Sequence, residues 1–105
     1  MLVAPPLTAQ AADVLSEGRA RAAAISILQG DPYGRTPADV AQNIVASQLL
    51  TGGSKRCGGK ATKPVWEFHV VVPANRNPNG SPIDGYLVID ARTGKMTCAG
   101  LPLLD

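Results

Sequence analysis

Residues 85–98 read GYLVIDARTGKMTC, and their reading decides the fold. A run of strand formers ends at Asp90, the chain spells D-A-R-T-G-K, and strand-like residues then resume. An Asp at a strand end accepts hydrogen bonds from backbone N–H groups two or three residues on. Thr93 adds a hydroxyl acceptor. Gly94 supplies the positive φ that returns the chain to a strand, as in a hairpin with a G1 bulge. The stretch predicts two antiparallel strands, 83–89 and 95–98, joined by a turn made of Asp90, Thr93 and Gly94. Asp90 reads as a turn-maker rather than a catalytic acid.

Upstream, VWEFHVVV at 65–72 is rich in branched and aromatic residues and predicts a further strand. Trp66, Phe68, Val70 and Val72 share one face, and Val65, Glu67, His69 and Val71 share the other. The charge on the second face assigns the first to the core. Glu67, His69 and a cross-strand Tyr86 then form the polar side of a half-buried sheet. Between the strands, 73–82 reads PANRNPNGSP, a polar hairpin loop.

The N-terminal half is helical in pattern. Residues 9–28 are nearly all good helix formers, with Thr8 as cap and a stripe of Ala11, Leu15, Gly18, Ala22 and Ile25. Gly30, Asp31, Pro32 and Gly34 end this run. A second helix is predicted at 37–50, with Thr36 as N-cap, Pro37 at the first helical position and Asp39 in the first turn. Its apolar face is Val40, Ala41, Ile44, Val45 and Leu49, and Gly52 and Gly53 close it. Residues 1–7, with Pro5 and Pro6, read as a flexible segment, and 8–105 as a single domain. The expected fold is α+β, two helices packed on a three- or four-stranded antiparallel β-sheet.

The strand at 65–72 followed by G-Y-L-V-I-D-A-R-T-G-K-M resembles the closing hairpins of PepSY-type domains. The matching positions are Trp66, Tyr86, Val88, Asp90, Ala91, Thr93, Gly94 and Lys95. The resemblance spans about a third of the chain and implies an α+β fold with a binding, inhibitory or regulatory role outside the cytoplasm. It carries over no catalytic residue.

Composition narrows the chemistry. One Trp, one Phe and two Tyr mean a core built chiefly from Val, Ile and Leu. Ten basic and eight acidic side chains leave a net charge of +2, no footprint for nucleic acid or an anionic membrane. No apolar run approaches the ~18 residues of a membrane span. The start, MLVAPP, lacks the basic and apolar regions of a signal peptide, so the chain reads either as cytosolic or as the mature form of an exported protein, and its cysteines favour the second. Its two cysteines, Cys57 and Cys98, are far apart and predict one disulfide in an oxidising compartment. Closing a loop of about 40 residues is worth roughly 3–4 kcal/mol in the chain-entropy picture.

The Gly-rich stretch GGSKRCGGKATK holds Lys55, Arg56, Lys60 and Lys63 and no acid. It is not a Walker A loop, because Ala61 stands where the magnesium-binding hydroxyl belongs and a strand follows instead of a helix. Cys57, the lone His69 and Cys98 are too few and too scattered for a zinc site. Nothing in the pattern points to a cofactor. The leading expectation is a small exported, non-enzymatic module that binds another protein, in a periplasmic or secreted setting. It contacts that partner through the basic loop (Lys55, Arg56, Lys60, Lys63) and the hairpin loop (Arg76, Asn77, Asn79), since loops on a rigid sheet commonly carry binding. The rivals are a small-ligand carrier and a thiol-dependent enzyme using Cys57 and His69.

Overall fold

The computed structural model describes residues 14–58 and 63–104. Among these residues two helices, α1 (Glu17–Leu28) and α2 (Pro37–Asn43), lead into four strands, β1 (Ile44–Leu50), β2 (Val65–Val72), β3 (Ile83–Asp90) and β4 (Met96–Ala99). The strands form one antiparallel sheet in the order β1-β2-β3-β4. This is the α+β arrangement expected, with two helices and a four-stranded sheet.

The predicted strand at 65–72 matches β2, while β3 runs one residue beyond 83–89 and β4 lies one residue later than 95–98. The helix-facing side of β2 is buried as the alternation requires, while on the other side Val65 and Glu67 are buried as well and only His69 and Val71 are half-buried. Phe68, Val70 and Val72 are fully buried and Trp66 nearly so. The Trp66 indole N–H donates to the Leu15 carbonyl at 3.1 Å, which ties the start of α1 to the sheet. Leu87 and Ile89 of β3 complete this layer, with Ala20, Ala24 and Leu28 of α1 packed on it.

Two helix predictions need correction. Among the described residues the first helix begins at Glu17, after the non-helical residues 14–16, with Ser16 accepting from the Arg19 N–H at 3.2 Å as N-cap. Residues 1–13, including Thr8 and Ala11, lie outside the described residues. The buried stripe is Ala20, Ala24 and Leu28, whereas Gly18 and Ala22 are exposed and Ile25 is half-buried. Alanines at 20, 22, 23 and 24 make the hydrophobicity nearly equal around the helix, so periodicity alone could not fix its inward side.

The second helix stops at Asn43, and 44–50 is strand rather than helix. The predicted cap is in place, Thr36 Oγ1 accepting from the Asp39 N–H at 3.2 Å. Val40, Ile44, Val45 and Leu49 fit a helical face, but β2 offers an open edge. Pairing with that edge overrides a weak helix preference in a β-branched run. Ile44 pairs with Val70 and Ala46 with His69, leaving Val45 as a bulge and 55% exposed. A bulge at the edge of a sheet also disfavours pairing with another chain.

The C-terminal stretch crosses β3 closely at Gly85. A Cβ there would lie 2.2 Å from the Gly100 carbonyl oxygen and 2.8 Å from Leu101. Only glycine admits this crossing. It lets Leu101 enter the core and the Gly100 N–H reach the Tyr86 carbonyl at 2.9 Å.

Candidate functional site

The side of the sheet away from the helices carries the polar chemistry. β-pairing places Gln48, Glu67 and Val88 in one row across β1, β2 and β3, and Ala46, His69 and Tyr86 in the next. Beyond β1 the chain folds back over this side as a single 3-10 turn, Lys55–Cys57. The Cys57–Cys98 disulfide pins it to β4 with a Cα–Cα distance of 5.6 Å.

That turn buries a carboxylate. Glu67 is 7% exposed although its alternation faces it away from the core. The Ser54 hydroxyl donates to Glu67 Oε2, and Arg56 Nε donates to Oε1 at 3.3 Å. Ser54 Oγ also accepts from the Arg56 N–H at 3.1 Å, capping the turn. A buried charge needs such partners. Arg56, itself half-exposed, continues outward with its guanidinium 3.4 Å from the Tyr86 ring centroid. Tyr86 stacks on His69 with centroids 4.7 Å apart and planes at 11°. His69 Nε2 lies 2.6 Å from Asp84 Oδ1. Arg56, Tyr86, His69 and Asp84 thus form one continuous row on a rigid sheet.

The sequence points to parts of this site and misses the rest. Arg56 was expected in a contact loop, yet its stack on Tyr86 has no sequence signal, because it depends on where the disulfide lays the turn. Lys55 and Lys63 are exposed at the same end of the sheet, and Lys60 lies outside the described residues. Arg76 and Asn79 are exposed in the 73–82 loop at the other end. Asn77 is buried there. Its amide donates to the Ser81 carbonyl at 2.7 Å and its Oδ1 accepts from the Asn79 N–H at 3.1 Å, so the side chain organises the loop. The two basic loops stand at opposite ends of β2, an eight-residue strand, or roughly 23 Å apart at about 3.3 Å per residue. The fold does not bring them together.

The rival thiol arrangement lacks its nucleophile: Cys57 is bonded to Cys98, and His69 is occupied by Asp84 and Tyr86. Among the described residues, no group of three or more His, Cys, Asp or Glu side chains could hold a metal ion. No helix among them is long and apolar enough to cross a membrane.

The turn that decided the fold is built as its sequence requires. Asp90 Oδ1 accepts from the N–H groups of Arg92 at 2.7 Å and Thr93 at 3.0 Å, and Thr93 Oγ1 accepts from Lys95 at 3.2 Å. Gly94 has φ of 78°. The Arg92 backbone bond, the largest influence, acts with the bonds of Thr93 and the charge of Lys63 to hold the Asp90 carboxyl below its ordinary value, against burial, which opposes them and is second in size only to the Arg92 bond. The folded state therefore releases this proton more readily than the unfolded chain. Its stabilisation is complete above the unfolded value near ~3.9 and is lost as pH falls through the lower folded value. An Asp90→Ala variant is expected to be less stable at neutral pH, with the gap to the native chain closing below about pH 4. Urea midpoints across that range measure it; a gap that stayed constant with pH would contradict this assignment.

No family model matches the chain, and no curated protein or solved structure does either. Fold and site define it by their own features. It is a disulfide-tied α+β protein with helices on one side of a four-stranded sheet and a cation–aromatic–histidine–carboxylate row on the other.

Proposed function

We propose that this protein is a small exported, non-enzymatic module that binds another protein through the outer side of its sheet, around Arg56, Tyr86 and His69. The observation that carries this reading is the row itself. It lays an arginine on a tyrosine, half-exposed and next to a disulfide, and both residue types are enriched among the anchors of protein interfaces. Its geometry is set before any partner arrives, so little side-chain entropy remains to be lost on binding. The disulfide supports an oxidising compartment, since such bonds seldom persist in the cytosol. The likeness of the Asp90–Lys95 hairpin to PepSY-type domains agrees with a role outside the cytoplasm, and an inhibitory, immunity-like or surface-antigen role falls within this reading.

The test is capture of extracytoplasmic proteins on the immobilised native chain, on Tyr86→Ala and on an Arg76→Ala control. A partner retained by the native chain and the control but lost with Tyr86→Ala supports the outer-face reading. Equal capture by all three would remove the row from the interface.

A further inference from the structure

We infer that the turn end of the sheet is a docking rim for an acidic segment of the partner protein. This deepens the proposed function and rests on its reading of the outer side as a protein-binding surface. β2 begins and β3 ends at this edge, where Val65 pairs with Asp90 and the Ala91 N–H reaches the Pro64 carbonyl at 3.0 Å. That register gathers Lys63, just before β2, with Arg92 and Lys95 of the β3–β4 turn. The disulfide adds Lys55 and Arg56 from the 3-10 turn beyond β1. Lys55, Lys63, Arg92 and Lys95 are all exposed.

Among the described residues, the acids near this edge are already engaged, and Glu17 at the start of α1 accepts from the Ser47 hydroxyl. Asp90 is bonded to the backbone of its own turn, and Glu67 is buried against Ser54 and Arg56. Asp84 stands at the far end of β3, while Asp31 pairs with Arg35 in the loop after α1. The surface is therefore polar in the electrostatic sense, cationic at the turn end and mixed beyond it, although the chain as a whole carries only +2.

That asymmetry selects the partner's chemistry. A duplex nucleic acid or a membrane plane is an extended anion that would run past the rim onto Asp84. A short acidic stretch of protein can engage the four cations and stop. The rim is also continuous with the outer side through Arg56, so one partner can set acidic side chains on the rim and apolar ones over Tyr86. Met96, 41% exposed next to Lys95, adds an apolar contact at the border. Complementary charge of this kind mainly speeds encounter and sets orientation, and it weakens with salt.

The experiment uses the oxidised full chain and a fluorescein-labelled poly-glutamate peptide, with poly-lysine, heparin and phosphatidylglycerol vesicles as comparators. Binding of poly-glutamate that weakens with added salt, and that falls at least about ten-fold in a Lys55→Glu/Lys63→Glu/Lys95→Glu variant, is the expected result. The substituted residues are exposed, and a cooperative melting transition serves as the folding check, with a small drop in midpoint expected because Lys63 faces Asp90. Binding that the triple variant retains would overturn the rim, as would tighter binding to heparin or vesicles than to poly-glutamate. Tyr86→Ala separates the two readings. If it keeps poly-glutamate binding, the rim stands even where outer-face capture fails. If the captured partner is lost with Tyr86→Ala but held equally by the triple variant, the rim falls and the outer-face reading survives.

Discussion

Replacing Phe68 by Ala is expected to destabilise the protein by about 3–5 kcal/mol, the range for removing a fully buried aromatic side chain. Phe68 lies in β2, an inner strand, with no exposed surface. It pairs with Ser47 on one side and Leu87 on the other, and its ring is 6.3 Å from that of Trp66. Phe68 is the one phenylalanine of the chain, so its loss leaves Trp66 without its stacked partner in the core. Total stabilities of small domains are about 5–15 kcal/mol, so this single change can unfold much of the population. Phe68→Leu removes less volume and serves where the Ala variant does not fold. The internal control is the next residue. His69 points to the opposite side, half-buried, hydrogen-bonded to an exposed Asp84 and stacked on Tyr86, so His69→Ala should cost no more than about 2 kcal/mol. Urea unfolding of the three variants gives the comparison. Similar costs at 68 and 69 would mean that the two sides of the sheet are wrongly assigned.

That contrast was legible from residues 65–72 alone, because a period of two separates a phenylalanine from a histidine without knowledge of the partners. The β3–β4 turn was legible for a related reason. Asp90, Thr93 and Gly94 act on backbone groups within five residues of themselves, so nothing distant is needed to interpret them. β1 was not legible. Val40, Ile44, Val45 and Leu49 satisfy a helical period, and only the presence of β2 beside them makes the chain extend after Asn43. Glu67 was hidden for a similar reason. Its alternation correctly places it away from the core, but its burial comes from Ser54 and Arg56, which arrive over it from beyond β1. The candidate site was legible as a list of basic loop residues and not as an arrangement, since the row from Arg56 to Asp84 joins three segments.

Removing the disulfide should show how far stability and site depend on the same bond. Cys57→Ser/Cys98→Ser is expected to cost about 3–4 kcal/mol, from the unfolded-chain entropy released when a 41-residue separation is no longer closed. The cost is paid mostly in the unfolded state, so the remaining fold should keep its sheet. Phe68 lies on the helix side of the sheet, whereas Cys98, paired with Val88, lies on the outer side. The local consequence lies on the outer side. The 3-10 turn is only three residues long and is held by Ser54 as its cap, by the Arg56 contacts and by Cys57. Without the bridge, the Glu67 carboxylate either keeps Ser54 and Arg56 in place or becomes hydrated. A buried carboxylate with two charge-assisted partners favours the first, and β4, tied to β3 by only a short ladder, is the element that loosens. Hydrogen exchange decides between them. Faster exchange confined to 96–99, with 54–58 and β2 protected, is the expected pattern, and faster exchange at 54–58 as well would mean that Glu67 becomes hydrated. Treating the native chain with a dithiol, which exchanges the bridge for two thiols, should reproduce both the shift in the urea midpoint and that pattern. If the double variant unfolds at the same urea concentration as the native chain, the bridge adds no stability. The rigidity invoked for the Arg56–Tyr86 stack would then have to come from Glu67 alone.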